Sequence, residues 1–160
     1  MPAMKSLLLV CTANICRSPM AEAVFKAQAA VLGLGRVASA GVRASSRAQS
    51  MDARAAAALS RRKYPLEKKW RSRRIEAEDF LRFDHLLAMD EDNLHALRRQ
   101  CPPELLHKVG LLLDVVPGRE GQEVPDPYFG SAQGFENVLD LIELAARSWS
   151  QAPLARRVVR

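Results

Sequence analysis

Lys5-Ser6-Leu7-Leu8-Leu9-Val10-Cys11-Thr12-Ala13-Asn14-Ile15-Cys16-Arg17-Ser18-Pro19 is the stretch that decides the fold. A short apolar run stops at a small polar segment. Helical periodicity then runs from Arg17 to Leu32 through Met20, Val24, Ala27 and Val31, ending before Gly33. The pattern is strand, loop, helix. Ser18-Pro19 suits the opening of that helix, because proline lacks an N–H that would have no partner in the first turn anyway.

Outward from this unit, Arg36 to Ala40 reads as a second strand closed by Gly41, and Asp52 is placed to cap an alanine-rich helix from Ala53 to Arg61. A short helix is expected around Glu76 to Phe80. The apolar run Asp84 to Met89 suits a strand buried on both faces. Helical spacing resumes from Asp90 to Gln100 and must stop before Pro102-Pro103. Val109 to Leu113 gives a fourth strand and Val116 to Gly130 a loop rich in proline and glycine. Ala132 to Trp149 is a long amphipathic helix with Phe135, Val138, Leu141, Ile142 and Ala145 on its buried side. Strands alternating with helices predict an α/β domain: an open parallel sheet of about four strands with helices on both faces and a phosphate-binding loop after the first strand. Ligands of such sheets bind beyond the carboxyl ends of the strands, where Cys11 to Arg17 falls.

The 160 residues, 48% hydrophobic and 26% charged, suffice for one core and not for two comfortable domains. One domain is expected over 1–152, followed by a basic tail over 153–160. Three cysteines, Cys11, Cys16 and Cys101, are too few for a disulfide framework and lack partners at metal-ligand spacing, so neither metal nor cofactor is expected. Leu7 to Val10 is too short an apolar run for a signal peptide, and no stretch approaches the roughly 20 residues of a membrane-spanning helix. These features predict a cytoplasmic protein without membrane insertion. The net charge of +6 favours anionic partners. Much of it lies in Arg61 to Arg74, where eight Lys or Arg face only Glu67, without the aromatic platform of a nucleic-acid surface. No nucleic-acid partner is expected.

In Cys11-Thr12-Ala13-Asn14-Ile15-Cys16-Arg17-Ser18, a cysteine and an arginine are separated by five residues at a strand-to-helix turn. A loop curled there points backbone N–H groups inward and borrows the positive end of the helix, which makes a cradle for a dianionic phosphate. Arg17 can grip two phosphate oxygens with its planar fork. The same field favours Cys11 as a thiolate nucleophile. Ser18 can donate its hydroxyl to that sulfur, and Asn14 tolerates an unusual backbone angle. Val124-Pro125-Asp126-Pro127-Tyr128 supplies a stiffened carboxyl, Asp126, to protonate a leaving oxygen and then activate water, and Tyr128 can wall an aromatic substrate.

Val10-Cys11-Thr12-Ala13-Asn14-Ile15-Cys16-Arg17-Ser18-Pro19 resembles the signature of the low-molecular-weight protein tyrosine phosphatases, and Asp126-Pro127-Tyr128 stands where that family has its acid loop. Ser39-Ala40-Gly41, Glu78-Asp79-Phe80, Phe83-Asp84, Met89-Asp90 and Asn93-Leu94 resemble further landmarks, so the similarity spans nearly the whole chain. The resemblance implies metal-free hydrolysis of phosphotyrosine through a phosphocysteine. It implies Cys11, Arg17 and Asp126 as catalytic residues, Thr12, Ala13, Asn14, Ile15, Cys16 and Ser18 as the phosphate loop, and Asp90 as its support. It also implies Cys16 as the redox partner of Cys11, and Tyr128 with Arg47 as substrate-binding residues. Implied partners are tyrosine-phosphorylated proteins, a tyrosine kinase among the candidates, met by a monomer or weak dimer. Two stretches depart from the family pattern. Trp70-Arg71-Ser72-Arg73 stands where relatives often have a histidine, and Val42-Arg43-Ala44-Ser45-Ser46-Arg47 is small and basic where many carry a large apolar side chain. The rival on the same fold is a thiol-coupled arsenate reductase, which needs two further closely spaced cysteines where this chain has only Cys101. From another class, a non-catalytic phosphate or nucleic-acid binder would be expected to have lost Cys11, Arg17 or Asp126.

Overall fold

Leu7, Leu8, Leu9 and Val10 are fully buried because their strand, β1 (Lys5–Cys11), lies in the interior of the sheet and is covered on both faces. Leu7 and Leu9 point into one core, Leu8 and Val10 into the other, as the two-residue period of a strand requires. Burying each such side chain contributes about 1.5–3 kcal/mol, so this run drives formation of the sheet centre. β2 (Leu34–Gly41) pairs with β1 on one side, β3 (His85–Ala88) on the other, and β4 (Val109–Leu111) follows β3. The order is β2-β1-β3-β4 and every pair is parallel, in agreement with the sequence reading. The computed structural model describes residues 4–149, so the expected tail over 153–160 lies outside the described residues.

Three helices, α1 (Arg17–Ala27), α3 (Ala53–Arg61) and α6 (Ala132–Trp149), cover the face of Leu7 and Leu9. α2 (Ala29–Leu32) is a short continuation of α1. On the other face, α4 (Asp79–Arg82) and α5 (Glu91–Gln100) pack over Leu8 and Val10. Trp149 closes the first core edge-on against Phe25 at 5.9 Å and His85 at 5.5 Å. Asp52 caps α3 through the Arg54 N–H at 2.8 Å, as its sequence position predicts.

Several expectations need correction. The helix expected from Arg17 to Leu32 breaks at Gln28. In an unbroken helix Val31, three turns beyond Met20, would share its face. The break turns Val31 to solvent, 83% exposed, Ala27 is exposed too, and Phe25 fills the core instead. The fourth strand stops at Leu111, because Asp114 accepts the Leu111 N–H at 3.0 Å and bends Leu112–Val115 into a 3₁₀ turn. The short helix expected at Glu76 to Phe80 begins later, at Asp79, whose carboxylate accepts the Glu76 N–H at 2.7 Å.

Candidate active site

The chain leaves β1 for β2 on one side and crosses from β2 back past β1 to β3 on the other, so the carboxyl end of β1 opens at the switch point of the sheet. Cys11 is the last residue of β1 and Arg17 the first of α1. Between them Asn14 takes a left-handed conformation, φ 59°, which asparagine tolerates better than most residues. Its buried side chain holds that shape. The amide donates to Ser18 Oγ at 2.7 Å and Ser39 Oγ at 3.0 Å, while Oδ1 accepts the Arg73 N–H at 2.9 Å. Gly41 lies directly against the loop. A Cβ there would sit 2.6 Å from the Thr12 carbonyl oxygen and 2.9 Å from the Asn14 nitrogen, so only glycine lets β2 approach this closely. Among the described residues, the backbone N–H groups of Ala13 to Arg17 donate to no protein acceptor, which leaves them for an anion.

Cys11 Sγ is 2.9 Å from Ser18 Oγ. Ser18 Oγ accepts the Asn14 amide N–H, which leaves its own hydrogen for the sulfur or for the Ala40 carbonyl, 3.5 Å away. The Arg17 side chain is 3% exposed and its Nη1 donates to Asp90 Oδ2 and to the Val124 carbonyl, both at 2.8 Å. With Nη1 occupied, the guanidinium is fixed in plane and its Nε and Nη2 edge remains for a bidentate ligand. Asp90 works twice, because its other oxygen accepts the Asn93 N–H at 2.8 Å and caps α5, and Asn93 in turn donates to Thr12 Oγ1 at 3.0 Å. Asp126 Oδ2 stands 3.6 Å from Arg17 Nη2, and Oδ1 accepts the Tyr128 N–H at 3.0 Å. Cys11, Arg17 and Asp126 line one cavity of about 320 Å³, together with Thr12, Ala13, Ile15, Cys16, Tyr128 and Gln49. A second cavity of about 230 Å³ lies behind the loop, against Glu22, Met51 and Trp70, and has no cysteine, serine or threonine on its walls.

Cys16 caps the start of α1 with its backbone and is buried. Burial, reinforced by the Asp52 carboxylate, pushes its thiol up to about 12, so it is protonated at neutral pH. Arg47 is exposed and does not line the cavity; Gln49, from the same segment, does. Cys101 closes the end of α5 in the core on the opposite sheet face from Cys11, so it offers no relay of the kind arsenate reduction needs.

Glu22 escaped the sequence reading. It is buried on α1 and accepts from Ser39 Oγ at 2.5 Å and from the Trp70 indole N–H at 3.0 Å on one oxygen, while Lys26 pairs with the other at 2.7 Å. Ser39 links it to Asn14, and so to Ser18 and Cys11. The signal was present in the spacing: Ser18, Glu22 and Lys26 fall on one stripe of the helix. In the sequence Trp70 stands out only as a departure from a family histidine. Its ring N–H supplies a donor to Glu22 without a titrating group.

A strand-end cysteine and a helix-opening arginine on an open parallel sheet, with a carboxyl above them, fit the class of small α/β phosphatases. The family model described as "Low molecular weight phosphotyrosine protein phosphatase" matches residues 6–159. The chain belongs to that family and is a protein-tyrosine-phosphatase. It is 41% identical to the low molecular weight protein-tyrosine-phosphatase of Streptomyces coelicolor, covering 86% of each chain. Its fold matches a protein tyrosine phosphatase from Entamoeba histolytica with a TM-score of 0.82, at 37% identity over 90% of this chain and 93% of the other. It also matches the YwlE arginine phosphatase from Geobacillus stearothermophilus with a TM-score of 0.81, at 27% identity over 92% of this chain and 91% of the other. Among the described residues no helix is long and apolar enough to cross a membrane.

Proposed function

We propose that the chain hydrolyses phosphotyrosine in proteins, and small aryl phosphates, through a phosphocysteine intermediate and without a metal ion. The observation that carries this reading is the 2.9 Å contact of Cys11 with Ser18 at the base of a cavity that Arg17 and Asp126 also line. The thiolate of Cys11 attacks phosphorus while the bond to the aryl oxygen breaks, and Asp126 delivers its proton to that oxygen. Arg17 and the loop N–H groups hold the equatorial oxygens as charge shifts onto them. Water then attacks the phosphocysteine, Asp126 takes up its proton, and inorganic phosphate leaves with the Cys11 thiolate restored. Thr12 to Ser18 form the cradle, Asp90 fixes Arg17, and Tyr128 and Ile15 flank the aryl ring. Cys16 acts as the resolving thiol if Cys11 is oxidised.

Phosphoarginine is the second reading, because an arginine phosphatase shares the fold and Asp126 offers a carboxylate to a guanidinium. Ile15 and Tyr128, which bring apolar surface to the cavity, favour an aromatic ring instead. The deciding experiment measures phosphate release from a phosphotyrosine peptide and a phosphoarginine peptide in chelator, with wild type and Cys11→Ser. Phosphotyrosine turnover that is abolished in Cys11→Ser and indifferent to chelator supports the proposal. Preference for phosphoarginine, activity in the folded Cys11→Ser protein, or loss in chelator overturns it. Arg17→Lys should be nearly inactive as well, since an ammonium cannot reproduce the fork.

A further inference from the structure

We infer that the mouth of this site is electrically two-sided and selects tyrosine-phosphorylated segments carrying acidic residues on one side of the phosphotyrosine. The inference rests on the phosphatase reading above. Residues 41–49 and 71–75 are laced into a single rim. The Gly41 N–H donates to the Arg73 carbonyl at 2.9 Å, the Ser72 N–H to the Gln49 carbonyl at 2.8 Å, and the Arg74 guanidinium to the Ala44 carbonyl at 2.7 Å. This rim adjoins the cavity directly, because Gln49 lines it and the Arg43 N–H donates to the Thr12 carbonyl at 2.8 Å.

Arg43, Arg47 and Arg71 stand exposed on it, and among the described residues none of them is paired with a carboxylate. Four nearby arginines are occupied instead. Arg54 pairs with Asp52, Arg61 and Arg62 with Glu136, and Arg73 with Asp79. Lys63, Lys68 and Lys69 of the basic stretch stand exposed as well, so what sets Arg43, Arg47 and Arg71 apart is their place on the rim beside the cavity. The loop that brings Asp126 over the cavity carries the opposite sign, with Glu123 and Asp126 exposed and Asp92 exposed at the start of α5. A segment seated with its phosphate on the loop N–H groups would thus meet positive charge in one direction and negative charge in the other. Complementary charge at a solvent-exposed rim mainly raises the rate of productive encounter and fixes orientation.

The test uses the full chain and four phosphotyrosine peptides: neutral flanks, glutamates before the phosphotyrosine, glutamates after it, and lysines on both sides. p-Nitrophenyl phosphate, which has no flanks, is assayed in parallel. One of the two glutamate peptides should exceed the neutral peptide about tenfold in kcat/KM at low ionic strength, a gain that shrinks with added salt. The other glutamate peptide should not exceed it. The double variant Arg43→Glu with Arg71→Glu should abolish the gain and leave p-nitrophenyl phosphate hydrolysis unchanged. Equal rates for all peptides, equal gains from both glutamate peptides, or a preference that survives the charge reversal would overturn the inference while leaving the phosphatase reading standing. Failure to hydrolyse p-nitrophenyl phosphate would overturn the phosphatase reading itself. Retention on single-stranded DNA that the same reversal abolishes, without any peptide preference, would assign the rim to nucleic acid and overturn the inference.

Discussion

The indole N–H of Trp70 donates to Glu22 Oε1 at 3.0 Å, and the same oxygen accepts Ser39 Oγ, so a buried carboxylate outside the cavity anchors the hydrogen bonds that end on Cys11. Charge-assisted bonds of this kind are stronger than neutral ones, and Glu22 remains compensated by Lys26 when one donor is lost.

Trp70→Phe removes the donor and keeps the ring. Turnover should fall about three- to tenfold with KM little changed, because Ser39 and Asn14 are then less firmly oriented; losing one hydrogen bond to a charged group costs about 1.5–3 kcal/mol. Alkylation of Cys11 by iodoacetamide at neutral pH should slow in parallel, and Trp70→His, which restores a ring N–H, should recover both. Full activity in the phenylalanine variant would mean that Trp70 only packs.

Gly41→Ala tests how closely β2 and the phosphate loop must meet. The added methyl has no room against the Thr12 carbonyl and the Asn14 nitrogen, both of which are backbone atoms. Overpacking of this sort costs about 1–3 kcal/mol. Because the displaced atoms belong to the phosphate cradle, inhibition by inorganic phosphate should weaken much more than Tm falls. A variant with normal phosphate affinity would show that the loop yields without consequence.

Cys11, Asn14, Arg17 and Ser18 were legible because their roles depend on positions within one strand-loop-helix unit, where spacing alone fixes what can meet. Asp126 was legible as a carboxyl stiffened by two prolines and Asp90 only through the resemblance, and both carboxylates lie within 3.6 Å of Arg17. Glu22, Ser39, Asn93 and Gln49 were not read as a set, because β2, α5 and the 41–49 rim bring them to the loop only in the folded chain. The break at Gln28 was hidden for a similar reason. Val31 fits the periodicity of an unbroken helix, and the local sequence does not reveal that Phe25 takes its place in the core.

Oxidative protection should depend on pH through Cys16. Burial first, and the Asp52 carboxylate next, push this thiol up to about 12, so its thiolate is scarce at neutral pH and grows about tenfold for each unit of rising pH. After a pulse of peroxide, closure of the Cys11–Cys16 disulfide should therefore accelerate between pH 6 and 9, and the sulfenic form of Cys11 should be trapped by dimedone mainly at the lower end. Mass spectrometry of the quenched samples reads both species. A closure rate flat across that range, or Cys11 joined to Cys101, would contradict this role for Cys16.

Asp126 is held by the Tyr128 N–H between two prolines, half exposed, with its free oxygen turned toward Arg17. A carboxyl in that place can protonate the leaving oxygen, and the benefit depends on how basic that oxygen is. A tyrosyl oxygen needs the proton in the transition state, whereas a nitrophenolate departs as a stable anion. Asp126→Asn keeps the shape of the loop and the acceptor for Tyr128 but cannot give up a proton. It should slow phosphotyrosine hydrolysis by about a hundredfold or more and p-nitrophenyl phosphate considerably less. Single-turnover rates over a series of aryl phosphates separate the chemical step from the breakdown of phosphocysteine, and a plot against leaving-group basicity should be steeper for the variant. Equal slowing across the series would mean that Asp126 acts through charge or loop shape, through its 3.6 Å approach to Arg17 in particular, and the proton donor would then be sought at Asp92 or Asp90. Of these, Asp90 is already committed to Arg17 and the cap of α5, which leaves Asp92, exposed on the first turn of that helix, as the side chain to replace next.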